Sequence, residues 1–107
     1  MKKIRFMLEY GCSPIWVLND DSLICVGLPE DLSQNQELKE LLESISIEYD
    51  SLFINNSIEF SYKGFLNDES EKNFDNKVKK AIKLLREAAK NQYIIEIADE
   101  EYESDII

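Results

Sequence analysis

Residues 37–63 read ELKELLESISIEYDSLFINNSIEFSYK, and their apolar side chains change period part-way along. Leu38, Leu41, Leu42, Ile45, Tyr49 and Leu52 recur at helical intervals and define one stripe. Glu37, Lys39, Glu40, Glu43 and Asp50 fall on the other side, so this helix shows water an acidic face. Asn55-Asn56-Ser57 is a run of turn formers. Beyond it Ile58, Phe60 and Tyr62 alternate with Glu59, Ser61 and Lys63, the period of a half-buried strand. The rings of this region, Tyr49, Phe53, Phe60, Tyr62 and Phe65, therefore read as the joint between a helix and a sheet. Ile58, Phe60 and Tyr62 are expected in the core, with Glu59, Ser61 and Lys63 facing out.

The flanking sequence extends that joint into a domain. Lys3–Glu9 carries a continuous apolar middle, as a central strand does. Ile15–Leu18 and Leu23–Val26 flank Asn19-Asp20-Asp21-Ser22, which predicts a hairpin. Without a glycine there, a four-residue loop is favoured over a two-residue turn. A turn centred on Asp20–Asp21 sets Trp16 opposite Cys25, and Cys12 opposite Pro29. Ser33–Gln36 and Asp68–Glu71 have capping-box spacing. A second helix, from about 68 to 91, buries Phe74, Val78, Ala81, Ile82, Leu85 and Ala89. Its acids lie near the start, and Lys83, Arg86 and Lys90 lie toward the end, which suits the helix dipole. Tyr93–Ile97 is a last strand; if it runs parallel to strand 58–63 in one sheet, the crossover is right-handed. The order predicts an α+β fold: a mostly antiparallel sheet of about five strands with two amphipathic helices packed on one face. Residues 1–98 form a single domain, and 99–107 an acidic tail that is either a docking arm or a solvated end.

Composition narrows the function. The chain has 107 residues, 44% hydrophobic and 32% charged, as an ordinary globular domain does. Its net charge is −10, concentrated in residues 31–70 (nine acids, two bases) and 91–107 (six acids, no base). Phosphate contacts need a positive surface, so nucleic acid is not the expected partner. The acidity serves either solubility or a basic protein partner. The opening MKKIRFMLEYGC is not a signal peptide, and no stretch approaches a membrane helix, so the expected location is the cytoplasm, with no membrane partner. Cys12 and Cys25 form no CxxC motif and read as small buried apolar residues, not as a disulfide.

Catalytic chemistry finds little to build on. The chain has no histidine, which removes the imidazole base, the Ser-His-Asp triad and the Cys-His pair. Its three glycines form no phosphate-binding motif. The adjacent acids Asp20/Asp21 and Glu100/Glu101 lack the contrasting environments of an acid–base pair. No catalytic, cofactor-binding or metal residue is expected.

FMLEYGCSPIW (6–16), the following hairpin with GLPEDL (27–32), and residues 37–65 together resemble small bacterial immunity proteins of polymorphic or contact-dependent growth inhibition toxin systems. The resemblance spans about residues 4–90. It implies a non-enzymatic inhibitor that binds one cognate toxin domain tightly, often a nuclease, either plugging its active site or locking it from a distance. An acidic inhibitor suits the basic cleft of a nuclease. Charge and exposure then nominate Glu37, Glu40, Glu43, Asp50, Glu59, Asp99, Glu100, Glu101 and Glu103 as partner-binding residues, with Asp105 beside them in the tail. Two other readings stand: a regulatory or homodimeric interaction domain pairing through edge strands, and a carboxylate enzyme with convergent acids in a pocket. The free protein is expected as monomer or dimer.

Overall fold

The computed structural model describes residues 2–55 and 58–98. Their elements run β1 (Lys3–Phe6), β2 (Ile15–Asn19), β3 (Ser22–Val26), a 3-10 turn (Glu30–Leu32), α1 (Gln36–Asp50), β4 (Phe53–Asn55), β5 (Phe60–Tyr62), α2 (Asp68–Ala88) and β6 (Ile94–Ile97). The main sheet has four strands in the order β3-β2-β1-β6. β1 is central, antiparallel to β2 and parallel to β6, with Lys3 opposite Ile94 and Phe6 opposite Ile97. The fold is α+β as expected, but its strands divide between this sheet and a separate β4–β5 hairpin. The strand holding Phe60 and Tyr62 is therefore not in one sheet with β6.

Alternation along the strands decides what the sheet covers. Ile4, Phe6, Ile15, Val17 and Ile97 point to one face and join Leu38, Leu42, Ile45, Phe74, Val78, Ala81, Ile82 and Leu85 of the helices in one buried cluster. Both helices thus lie on the same face of the sheet. They are antiparallel: along α2, Phe74 meets Tyr49, Lys77 meets Glu48 and Ser44, and Lys80 meets Glu37. Lys77 Nζ donates to Ser44 Oγ and Glu48 Oε1, both at 2.8 Å, cross-linking the helices on their less exposed side.

Local signals decide the element ends, with some corrections. The N-caps are Asn35 and Asn67, whose side chains accept from the amides of Leu38 and Ser70. Asn35 lies two positions after the expected cap Ser33, and Asn67 one position before the expected cap Asp68; the Ser33 hydroxyl donates to the Glu30 carbonyl instead. α2 ends at Ala88, and Asn91, with φ of 68°, turns the chain toward β6. The hairpin turns tightly on Asp20 and Asp21, with φ of 51° and 66°. Aspartate tolerates the left-handed region well enough to make a two-residue turn without glycine. An irregularity between Val17 and Leu18 shifts the register, so Trp16 pairs with Val26 and Cys25 pairs with Val17. β3 is an exposed edge strand, which leaves Cys25 exposed and not buried; Cys12 is partly buried, and both are free thiols.

Candidate functional site

The largest departure from the sequence reading is the β4–β5 hairpin. Phe53 pairs with Tyr62 and Asn55 with Phe60, and among the described residues no third strand joins either edge. The alternation of Ile58, Phe60 and Tyr62 is real, but among the described residues no sheet layer covers that face. Ile58 is 93% exposed, Phe60 57% and Tyr62 58%, so the expectation that they lie in the core is corrected. A period of two shows that one face differs from the other; it does not say what packs on it.

The hairpin is nonetheless anchored. The amides of Lys63 and Gly64 both donate to the carbonyl of Leu52, a buried residue at the start of the hairpin. Phe53 sits half-buried among rings: Tyr10 at 5.1 Å, Tyr49 at 5.3 Å, Phe60 at 5.6 Å and Tyr62 at 5.2 Å. Tyr10 also meets Phe60 edge-on at 4.9 Å. The ring cluster is continuous with the core through Tyr49 and Phe74. It is held from below and open above.

The C-terminal end of α1 runs into this patch. Ser51 stops the helix, its hydroxyl donating to the Glu48 carbonyl. The last turn of α1 holds no basic residue, while Glu48 and Asp50 lie against the negative end of its dipole. Glu48 is neutralised by Lys77 at 2.8 Å. The Asp50 carboxylate accepts the Gly11 amide at 2.9 Å, tying the β1–β2 loop to the helix end. Gly11, with φ of 74°, allows the loop to make that approach. A cleft of about 500 Å³ follows, lined by Gly11, Cys12, Lys39, Glu43, Ser46 and Asp50 among others. It leads from the acidic face of α1 to the loop that carries Tyr10.

The nominated acids are brought together only in part. Glu37, Glu40 and Glu43 are exposed along α1. Glu37 lies 3.4 Å from Lys80, and Glu40 accepts from the side chain of Gln36. Glu59 accepts from the Ser61 hydroxyl on the hairpin. Asp50 has the structural task just described besides its charge. Asp99, Glu100, Glu101 and Glu103 lie outside the described residues. Sequence reasoning missed Phe60 and Tyr62 as surface residues and the half-buried Tyr10 as their ring neighbour. The available signal was the brevity of the strand: turn residues on one side and Gly64 on the other leave room for a small ribbon only.

The sheet face away from the helices carries a separate charge network. Glu96 meets Lys3 at 3.1 Å and Arg5 at 3.0 Å, and Lys3 also reaches Asp21 at 3.1 Å. Hydrogen bonds from Lys3 and then Arg5 hold the Glu96 carboxyl below its ordinary range. Bonds to Asp21 and Glu96 raise the Lys3 ammonium. Burial, then a hydrogen bond to Asp31, pushes the Tyr93 phenol up. This network staples β1 to β6 and to the hairpin turn.

Among the described residues no group of three or more His, Cys, Asp or Glu side chains is placed to hold a metal ion, and no helix is long and apolar enough to cross a membrane. Comparison with curated proteins finds no match. A family model described as Serratia CdiI immunity protein-like matches residues 2–100, nearly the whole chain. The resemblance carried by FMLEYGCSPIW, GLPEDL and residues 37–65 thus extends through the last strand, and the chain belongs to the family of Serratia CdiI immunity protein-like proteins.

Proposed function

We propose that this protein neutralises one cognate toxin domain, a basic nuclease, by forming a tight 1:1 complex without catalysis of its own. Family membership supports the immunity role. The observation that carries the finer reading is the exposed acidic face of α1, where Glu37, Glu40 and Glu43 project on one helix whose last turn has no base. Asp50 and Glu59 extend that field to the hairpin, and Asp99, Glu100, Glu101 and Glu103 add to it from the tail. A phosphate-binding cleft carries the complementary field, so encounter is fast and falls with salt. The protein acts in the cytoplasm, touching neither nucleic acid nor membrane.

Co-expression with the toxin encoded by the neighbouring gene tests this directly. Survival of the host, with a 1:1 complex on size exclusion, is the expected result. The association rate should drop by about tenfold or more between low and high salt, as electrostatically steered encounters do. Absence of both rescue and complex refutes the reading. Cutting the chain after Ala98 separates docking from solvation of the tail: weaker toxin binding at an unchanged melting temperature assigns the tail to the interface.

The exposed apolar strand β3, with Leu23, Ile24 and Val26 on an open edge, favours a second reading, self-association through that edge. Light scattering across a concentration series distinguishes a dimer from a monomer.

A further inference from the structure

The geometry points to the aromatic face of the β4–β5 hairpin, together with the carboxylates at the end of α1, as the surface that receives the toxin, and to a projecting basic loop with an apolar tip as what it receives. This inference rests on the immunity reading and adds to it the place of contact and the chemistry of the contacting element.

Three observations converge. First, Phe60 and Tyr62 present more than half their surface to water although they sit in a cluster of four or more rings. Anchoring of the hairpin through Leu52 and of Tyr10 through the Gly11–Asp50 bond makes the patch preorganised, so little ordering is needed on binding. Rigid aromatic residues of this kind dominate binding energy at protein interfaces. Second, the charge beside the patch is mostly negative. Glu9, Glu43, Asp50 and Glu59 lie in or next to these segments and the adjoining cleft, against Lys39 and Lys63. Third, Asp50 lies at the wrong end of a helix dipole, an arrangement that costs stability in the free protein and that a cation relieves. A lysine or arginine seated in the cleft between Glu43, Asp50 and Gly11 supplies that cation. An apolar residue beside it on the same loop reaches the rings, and the guanidinium or ammonium stem packs along them.

The test uses the purified full-length protein and the toxin domain encoded by the neighbouring gene, catalytically inactivated, with kinetics read by surface-immobilised binding. Phe60→Ser/Tyr62→Ser should weaken Kd by about 100-fold or more, mainly through faster dissociation, as loss of two central anchors does. Asp50→Asn keeps an acceptor for the Gly11 amide and removes the charge. It should slow association several-fold at low salt while leaving the melting temperature equal or higher. Lys72→Gln, on the exposed side of α2, should change neither. Should the double variant fail to fold, Tyr62→Lys alone places a like charge against the basic loop at an exposed position, and should weaken binding at least tenfold. If the wild-type complex is tight and every hairpin variant stays within threefold of it, this inference is overturned and the immunity reading stands. If those variants instead turn a wild-type dimer into a monomer at unchanged toxin affinity, the patch is a self-association surface and the inference is again overturned. If the wild-type protein itself forms no complex, the immunity reading falls first, and this one with it.

Discussion

Replacing Lys77 by methionine keeps the aliphatic stem and removes the ammonium that clamps α2 to α1. Two hydrogen bonds of 2.8 Å disappear, one to Ser44 and one to Glu48. The side chains of Lys77 and Glu48 are 26% and 34% exposed, so the pair is worth more than a fully solvated one, for which about 0.2–1 kcal/mol is typical. The loss also leaves Glu48 facing the negative end of α1, which adds about 0.3–1 kcal/mol of repulsion. Together these terms destabilise the protein by about 1–2 kcal/mol. For a domain of this size 1 kcal/mol moves Tm by about 4–8 °C, so the variant should melt roughly 5–15 °C lower. Thermal unfolding followed by circular dichroism measures it. A double-mutant cycle with Glu48→Gln isolates the pair, because Gln retains the acceptor and removes the charge; coupling near 1 kcal/mol is the expected result. A Lys77→Met protein melting within 1 °C of the parent, or a coupling near zero, refutes the claim that this clamp holds the helices together.

Three further outcomes follow from the core, the turn and the charge network. Ile82→Ala removes a fully buried side chain at the centre of the helix–sheet cluster and should cost about 2–5 kcal/mol in chemical denaturation, enough to unfold a marginal domain. Substituting Asn for Asp20 and Gly for Asp21 relaxes both left-handed positions but removes the Lys3–Asp21 bond; the exposed ion pair is the smaller term, so denaturation midpoints should stay equal or rise. Glu96 has a folded pKa below its unfolded one, so its contribution is complete above about pH 4.5 and is lost as pH falls through the folded value. The melting difference between wild type and Glu96→Gln should therefore be largest near neutrality and shrink as pH falls below 4.5 and through the lowered folded value. The Lys3 ammonium works in the opposite sense: its folded pKa is raised, and its contribution is full below about 10.5 and lost above.

Much of the fold follows from patterns that local chemistry makes legible. The stripes from Leu38 to Leu52 and from Phe74 to Ala89 mark both helices because burying one face requires that spacing. The run from Asn19 to Ser22 marks the hairpin because four turn formers interrupt two β-rich runs. What was hidden depends on contacts far apart in the chain. The parallel partner of β1 is β6, a pairing set by the packing of the helices between them and not by either strand alone. The register shift at Leu18 inserts one residue and rotates the Trp16 pairing, which no composition signal announces. The same holds for Phe60 and Tyr62: their alternation was readable, but their exposure was not. On the candidate site, the exposure of Glu37, Glu40 and Glu43 was legible from helical phase. The second task of Asp50, a bond to an amide 39 residues earlier, was visible only in three dimensions.

The pairing of β1 with β6 also sets the timing of folding. Arg5 and its partner Glu96 are separated by 91 positions, so the strand that completes the sheet is synthesised long after the strand it rests on. Closing so large a loop delays the transition state relative to helix formation, because the entropy of closure comes before the contacts that offset it. Until Ile94–Ile97 arrives, Ile4 and Phe6 have a neighbour on one side only, and a nascent chain exposes an open strand edge in their place. Newly made protein thus completes its main sheet in a late step, and only chains whose last strand has docked present the finished fold.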